Sequence, residues 1–163
     1  MTQSSIRPPE RQRQARLMNA INVPMRLLLQ VPFATPLSNQ LMLLFLRGRK
    51  SGKIYRQPVS FVRDGETLLT PGGGRWKLNL RAGECIRIRL AGRDRLGRPE
   101  LISNVDEVDA LLRKMMRLNP RMTSFVPVAG PGGQIDRQRL ENAVGYGFVI
   151  VRWHFDCPST TPR

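Results

Sequence analysis

Histidine and cysteine, the side chains most used in nucleophilic and metal chemistry, are scarce in this chain. Among 163 residues there is one histidine, His154, and there are two cysteines, Cys85 and Cys157. A Ser-His-Asp or Cys-His arrangement would have to use His154, which lies in a strand-like run where a lone histidine usually has a structural role. The cysteines lack metal-ligand spacing and are too few for a disulfide framework. We therefore expect neither hydrolytic nor metal-dependent chemistry, and we expect Cys85 to be a small buried apolar residue.

Acidic residues are also few, and the first third of the chain is almost without them. Twelve Asp and Glu stand against 27 Lys and Arg, so the formal net charge is +15, and Glu10 is the only acid among residues 1–63. Twenty-three of the cations are arginine, whose planar fork suits phosphate and carboxylate groups. The excess indicates an anionic ligand or partner, although a coding bias toward arginine would give the same composition.

Long apolar runs are missing as well. No uninterrupted run approaches the length of a membrane span and no secretory signal is visible, so we expect a cytoplasmic protein. Residues 1–16 are polar and basic and predict a disordered arm. Apolar residues at roughly helical spacing over 17–29 predict a helix, which packs on the barrel or on a second subunit, or lies on an anionic membrane surface. Nucleic acid is a weaker alternative, because aromatic residues make up 6% of the chain and are not interleaved with the arginines of the arm.

The rest of the chain alternates strand-like runs with turns before a helical period appears. Predicted strands cover residues 40–47, 54–63, 66–70, 85–90, 98–103 and 146–155, with a turn at Leu96-Gly97. A helix is predicted from Asn104, with Glu107 three residues on, to Asn119-Pro120, and a shorter one over 136–144. This order predicts one α+β domain over residues 17–155 around a small antiparallel barrel with flanking helices, followed by a flexible tail over 156–163.

A basic glycine turn, Gly48-Arg49-Lys50-Ser51-Gly52-Lys53, separates the first two predicted strands. It is not a Walker A loop, because three residues rather than four separate its glycines and Ile54 follows the lysine. Backbone amides freed by the two glycines, together with Arg49, Lys50, Lys53 and the Ser51 hydroxyl, would form a compact anion cradle. A solvated basic hairpin tip would have the same sequence.

A second glycine turn, Gly72-Gly73-Gly74, leads into Trp76 and Asn79. Three residues apart, an indole and an amide could lie at the face and edge of a flat ring, where an amide can donate and accept hydrogen bonds. A core tryptophan and a turn-capping asparagine are the alternative interpretation.

Taken with these turns, the segments GRKSGKIYRQPV and WKLNLRAGECIRIRLAGR resemble the deazaflavin-dependent nitroreductase family. The resemblance covers roughly residues 41–102 and is strongest in the spacing of Trp76, Asn79, Gly83 and Cys85. It implies the split β-barrel of the flavin/deazaflavin oxidoreductases, a pyridoxamine-phosphate-oxidase-like fold that often dimerises. It also implies reduced coenzyme F-420 as a hydride donor, with its phosphate and acidic tail held by basic residues.

The resemblance further implies a set of cofactor-binding residues. Arg49, Lys50, Ser51 and Gly52 would take the phosphate end. Along the cofactor and around its ring would lie Arg56, Pro58, Val59, Gly72, Gly73, Gly74, Trp76, Lys77 and Asn79. Lys77 replaces an aromatic residue of the nitroreductase members, and residues 120–125 lack the tyrosines that those members place near the substrate. Nitroreductase activity is therefore not carried over, and no catalytic residue is assigned.

Three hypotheses follow. The first is an oxidoreductase that uses F-420 to reduce a small organic acceptor of quinone, nitro or enone type. The second keeps the barrel and changes the ligand to FMN or another flavin- or tetrapyrrole-like molecule. The third is a non-enzymatic basic module that binds nucleic acid or anionic membrane, which predicts strongly salt-dependent binding.

Overall fold

The computed structural model describes residues 40–126 and 128–158, so the predicted arm and the predicted helix over 17–29 lie outside the described residues. The two α-helices are α1 (Val105–Leu118) and α2 (Arg137–Gly145). The strands are β1 (Leu41–Arg47), β2 (Ile54–Ser60), β3 (Val62–Asp64), β4 (Thr67–Gly72), β5 (Ile86–Leu90), β6 (Arg93–Ile102) and β7 (Val149–His154). Short 3₁₀ helices cover Arg75–Asn79, Pro120–Phe125 and Pro131–Gly133.

The strands form one antiparallel sheet in the order β2-β1-β5-β6-β7-β4-β3. The longest strand, β6, changes partner midway: Arg93–Gly97 pairs with β5 and Arg98–Ile102 pairs with β7. The sheet curls about this strand into two halves. This is a split β-barrel with flanking helices, so the fold class predicted from the sequence is confirmed.

Buried residues form two main clusters because successive strand residues point to opposite faces of the sheet. On β7, Val149, Val151 and Trp153 face the barrel interior, where they pack with Ile88 of β5. Ile150 of β7 faces the helical side. The helical side is covered by buried residues of the apolar stripe of α1 and of α2, namely Val108, Leu111, Leu112, Met115 and Leu140. The core therefore lies on both faces of the sheet.

The start of α1 follows the sequence prediction. The Asn104 side chain accepts hydrogen bonds from the backbone amides of Asp106 and Glu107, each at 3.1 Å, which satisfies two of the donors that a helix leaves unpaired at its first turn. In this part of the chain neither helix is long and apolar enough to cross a bilayer.

One predicted strand and one predicted turn were wrong. The segment 54–63 is not one strand, because it pairs with β1 as far as Ser60 and then with β4 from Val62. Leu96-Gly97 is not a turn either. The hairpin turns at Ala91-Gly92, whose φ angles of 48° and 76° suit a two-residue hairpin.

The expectation that Cys85 is a small buried apolar residue was also wrong. Cys85 is half-buried and forms a disulfide with Cys157, 72 residues later, at a Cα–Cα distance of 6.2 Å. Because β5 and β7 both pair with β6, the two cysteines are brought together. Cys157 and Asp156 belong to the segment predicted as a flexible tail, yet Asp156 also forms an ion pair with Arg98 at 2.5 Å. The start of this segment is therefore held to the barrel.

Candidate functional site

The basic turn between β1 and β2 is closed by its own backbone. The amide of Gly48 donates to the carbonyl of Lys53, and that of Gly52 to the carbonyl of Gly48, both at 2.8 Å. Gly52 has a φ of 67°, and a Cβ at Gly48 would lie 2.6 Å from Ser51 Oγ. The positive φ of Gly52 therefore favours glycine in the turn itself, and Gly48 leaves room for the Ser51 side chain. Because several amides already donate within the protein, an anion here would be held mainly by the exposed Arg49 and Lys50 side chains.

The second glycine turn ends in the 3₁₀ helix Arg75–Asn79. A Cβ at Gly74 would lie 2.7 Å from Trp76 Cδ1, so the close approach of the indole requires glycine at this position. Trp76 is half-buried and packs against the interior cluster of the barrel. The indole is therefore positioned by the core and still borders the surface.

Asn79 connects the two turns. Its Oδ1 accepts a hydrogen bond from the backbone amide of Arg49 at 2.8 Å, across 30 residues of chain. Its Nδ2 donates to the Tyr55 hydroxyl and to the Trp76 carbonyl oxygen, the latter at 3.2 Å. One amide side chain thus uses both its acceptor and its donors to hold the basic turn, β2 and the 3₁₀ helix together.

Between these elements lies an open cavity of about 370 Å³. Its size falls within the range common for small-molecule sites, about 300–1,000 Å³. Burial raises the pKa of Tyr55, so its phenol stays neutral and can donate a hydrogen bond. The cavity is lined by Gly48, Arg49, Lys50, Ser51, Tyr55, Gln57, Arg75, Trp76, Leu78 and Asn79.

The structure brings five of the predicted site residues to this cavity, namely Arg49, Lys50, Ser51, Trp76 and Asn79. Gly52 lies in the same turn but does not line the cavity. Gly72 ends β4, where a Cβ would lie 2.7 Å from Val149 Cγ2, so close strand packing accounts for this glycine. Lys77 donates to the Gly72 carbonyl oxygen at 2.7 Å, and burial lowers its pKa. Gly73 lies beside Phe148.

The predicted residues of β2 are divided between the two faces of the sheet. The guanidinium of Arg56 lies 5.9 Å from the ring centre of Phe45, on the face opposite Tyr55. Pro58 shares the face of Arg56, whereas Val59 is buried in the barrel interior. None of these three residues lines the cavity.

Sequence reasoning missed Tyr55, Gln57, Arg75 and Leu78 as cavity residues. The signal for the first two was present, because alternate residues of a strand share a face and Tyr55 and Gln57 are spaced by two. Arg56, Pro58 and Val59 could not all share one face, so that prediction conflicted with the period of a strand. Arg75 and Leu78 depend on the 3₁₀ helix, which the glycine turn did not reveal.

A larger cavity of about 540 Å³ lies beside His154, at the turn between β3 and β4. Its lining mixes Arg63 and Arg95 with Glu66 and Asp156. His154 Nε2 lies 2.7 Å from Glu100 Oε2. This hydrogen bond is the largest cause that holds the pKa of Glu100 below its usual range, and a hydrogen bond from Arg152 lowers the pKa further. Because its charges are mixed and His154 is engaged with Glu100, this cavity is a weaker candidate for an anionic ligand than the smaller one.

Comparison with known proteins gives similarity in fold. No known family pattern and no curated protein matches the chain. A candidate 5-nitroimidazole antibiotic resistance protein of Bacteroides thetaiotaomicron has a TM-score of 0.50 at 14% identity, covering 74% of this chain and 76% of that chain. A candidate pyridoxamine 5'-phosphate oxidase of Listeria innocua has a TM-score of 0.46 at 12% identity, covering 72% and 85%. An FAD-binding protein of Mesorhizobium loti has a TM-score of 0.43 at 13% identity, covering 78% and 86%.

Proposed function

We propose that the cavity between the basic turn and the 3₁₀ helix Arg75–Asn79 binds a flat, phosphate-bearing redox cofactor, with coenzyme F-420 as the first choice. One observation carries the proposal: the side chain of Asn79 bonds the backbone of Arg49 and the hydroxyl of Tyr55. Arg49, Lys50 and Trp76 line the same cavity, which supports a ligand that carries both a phosphate and a flat ring. The protein is then an oxidoreductase that reduces a small organic acceptor of quinone, nitro or enone type.

The residues present suit such a group. Arg49 and Lys50 are exposed at the cavity, and charge-assisted hydrogen bonds to phosphate are among the stronger polar contacts. Trp76 offers a ring face. When bound, the cofactor would supply the hydride chemistry. This chain's own residues would bind and orient the cofactor, and the neutral phenol of Tyr55 would donate a hydrogen bond into the cavity.

FMN is the alternative ligand, since a phosphate and a flat ring would use the same side chains. A homodimer remains part of the proposal, as do contact of the N-terminal segment with anionic membrane and a cytoplasmic location. The location is open to a specific objection, because disulfides are rare in the reducing cytosol and Cys85 is bonded to Cys157.

The proposal is tested by titrating the purified protein with oxidised F-420 and, in parallel, with FMN, following tryptophan quenching and cofactor absorbance. The double variant Arg49→Ala/Lys50→Ala should weaken binding by about 1.5–3 kcal/mol for each charged hydrogen bond lost. A matched control removes two exposed cations elsewhere, in Arg117→Ala/Arg121→Ala, and should bind as the wild type does.

Each result has a defined meaning. Tighter binding of F-420 than of FMN supports the deazaflavin assignment, and binding of FMN alone moves the protein to the flavin-using alternative. Unchanged affinity in the Arg49 and Lys50 variant would exclude the basic turn from the site. If neither cofactor binds the wild type, the proposal fails and salt-dependent binding to DNA or anionic vesicles becomes the test of the third hypothesis.

A further inference from the structure

One wall of the cavity belongs to residues 75–85, which we call the wall segment and whose second half has few contacts. Its first part is anchored, because Trp76 and Leu80 pack against the barrel interior. The next four residues, 81–84, are exposed. Within them, the Glu84 amide donates to the Arg81 carbonyl oxygen at 3.1 Å, and their side chains form a solvent-exposed ion pair at 3.7 Å. Such a pair adds little stability.

The wall segment ends in a covalent bond. Cys85 is its last residue, six positions after Asn79, and is bonded to Cys157. The partner side is well held: Phe155 packs against the barrel interior and Asp156 pairs with Arg98 at 2.5 Å. The disulfide therefore ties the thinly supported residues 81–85 to a firmly anchored segment.

The neighbouring strand does not replace this anchor. Ile86, the first residue of β5, pairs with Gly97 of β6. On its other side β5 pairs with β1 only further along, at Leu43–Arg89 and Leu44–Ile88. The start of β5 therefore has ladder hydrogen bonds on one side, and the adjoining Cys85 depends on the disulfide for its second connection.

We propose that the Cys85–Cys157 disulfide positions the wall segment for ligand binding, so that its reduction weakens binding in the Asn79 cavity. On reduction the S–S bond breaks, and the two sulfurs take up two electrons and two protons from a dithiol such as dithiothreitol, which becomes a disulfide. The product has thiols at Cys85 and Cys157 and a wall segment that keeps the contacts of Trp76, Asn79 and Leu80 but has lost its covalent anchor at Cys85. The identity of the ligand rests on the proposed function, but the change in the wall segment does not.

The experiment compares the oxidised full-length protein with the same protein reduced by dithiothreitol. F-420 and FMN titrations report on the cavity, and hydrogen exchange is followed in peptides covering residues 75–86 and α1. Because order lost before binding must be regained on binding, the reduced protein should bind about fivefold more weakly or worse. At times too short for α1 to exchange in either protein, exchange should rise over residues 75–86 and stay low in α1.

The variant Cys85→Ser/Cys157→Ser is the matched control. It should bind and exchange as the reduced wild type does, and reductant should have no effect on it. Equal affinity and equal exchange in the oxidised and reduced proteins would overturn the proposal. Exchange that rises equally in α1 would also overturn it, because the effect would then be global unfolding. Detection of two free thiols in the unreduced protein would show that the disulfide is absent and would also overturn the proposal.

Failure of the proposed function has a different signature. If the oxidised protein binds neither F-420 nor FMN, the cofactor assignment fails. The exchange of residues 75–86 then still decides whether the disulfide positions the wall segment.

Discussion

Asn79 shows how much of the candidate site depends on a single side chain. An amide can accept and donate at the same time, and Asn79 does both, toward the Arg49 amide on one side and toward Tyr55 and Trp76 on the other. A carboxylate would keep the acceptor and lose the donors, and an aliphatic residue would lose both. The basic turn and the indole thus share a cavity through the chemistry of one residue type.

Asn79→Ala should lower the free energy of unfolding by about 1–2 kcal/mol, because each net hydrogen bond lost costs roughly 1 kcal/mol and the freed groups are partly exposed. Ligand binding should weaken as well, and Asn79→Asp should fall between the alanine variant and the wild type. Urea denaturation and the cofactor titration measure the two effects. Asn142→Ala, at an exposed position of α2, is the control and should change neither. Wild-type stability in Asn79→Ala would show that these bonds carry no net energy.

Asp94 gives a pH-dependent prediction at the same scale. It accepts two hydrogen bonds from Arg89, at 2.6 and 3.0 Å, and this pairing holds the pKa of Asp94 below its usual value of 3.8. A carboxyl whose pKa is depressed by folding stabilises the protein above its unfolded pKa, and this stability is lost as the pH falls through the folded pKa. Asp94→Asn should therefore cost about 0.5–1 kcal/mol at pH 7, since the pair is partly exposed.

The cost should shrink as the pH falls below 3.8, the usual value for Asp94. Urea denaturation of wild type and variant between neutral and acidic pH measures the difference. A constant difference across that range would show that the variant acts through something other than the charge of Asp94.

At the scale of elements, β6 decides the shape of the barrel because it belongs to both halves of the sheet. Gly97 lies where β6 passes from one partner to the other. A Cβ there would lie 2.5 Å from Ile88 Cδ1, and Ile88 is fully buried. The glycine that the sequence analysis assigned to a turn is therefore required by packing within a strand.

Gly97→Ala should destabilise the protein by about 1–3 kcal/mol, the usual cost of overpacking a core. Ile88→Val removes the atom that the new methyl group would meet, so it should recover part of this loss in the double variant. Thermal denaturation of the single and double variants measures the coupling. Gly145→Ala is the control, because a Cβ there meets nothing within 4 Å. If Gly97→Ala is as stable as the control, the packing argument is incorrect.

At the scale of the whole molecule, one covalent bond joins distant parts of the chain. The Cys85–Cys157 disulfide closes a loop over a separation of 72 residues. Cross-linking restricts the unfolded chain more than the folded one, and the chain-entropy estimate for such a loop is about 4 kcal/mol. The bond therefore contributes a large share of the stability expected for a domain, about 5–15 kcal/mol.

Cys85→Ser/Cys157→Ser should accordingly lower the free energy of unfolding by about 2–4 kcal/mol relative to the oxidised wild type. Denaturation in urea with and without dithiothreitol measures this, and reductant should change the wild type alone. Equal stability of the variant and the oxidised wild type would mean that the disulfide contributes no net free energy to folding.

The sequence by itself determined the elements whose causes are local. Asn104 caps α1, and the apolar residues of α1 recur at helical spacing, because both effects act within a few residues. The basic turn and the split-barrel class followed from turn residues, strand-like runs and a family resemblance. Even there, the alternation of β2 held information on Tyr55 and Gln57 that was not used.

Only the tertiary structure decided which distant residues meet. The bond from Asn79 to Arg49 spans 30 residues and the disulfide spans 72, and no local pattern encodes either contact. The role of Gly97 likewise depends on Ile88 of the neighbouring strand, two residues from Ile86, the ladder partner of Gly97. The disulfide and the Gly97 contact arise from strand pairing and packing, so they exist only once β5, β6 and β7 share one sheet.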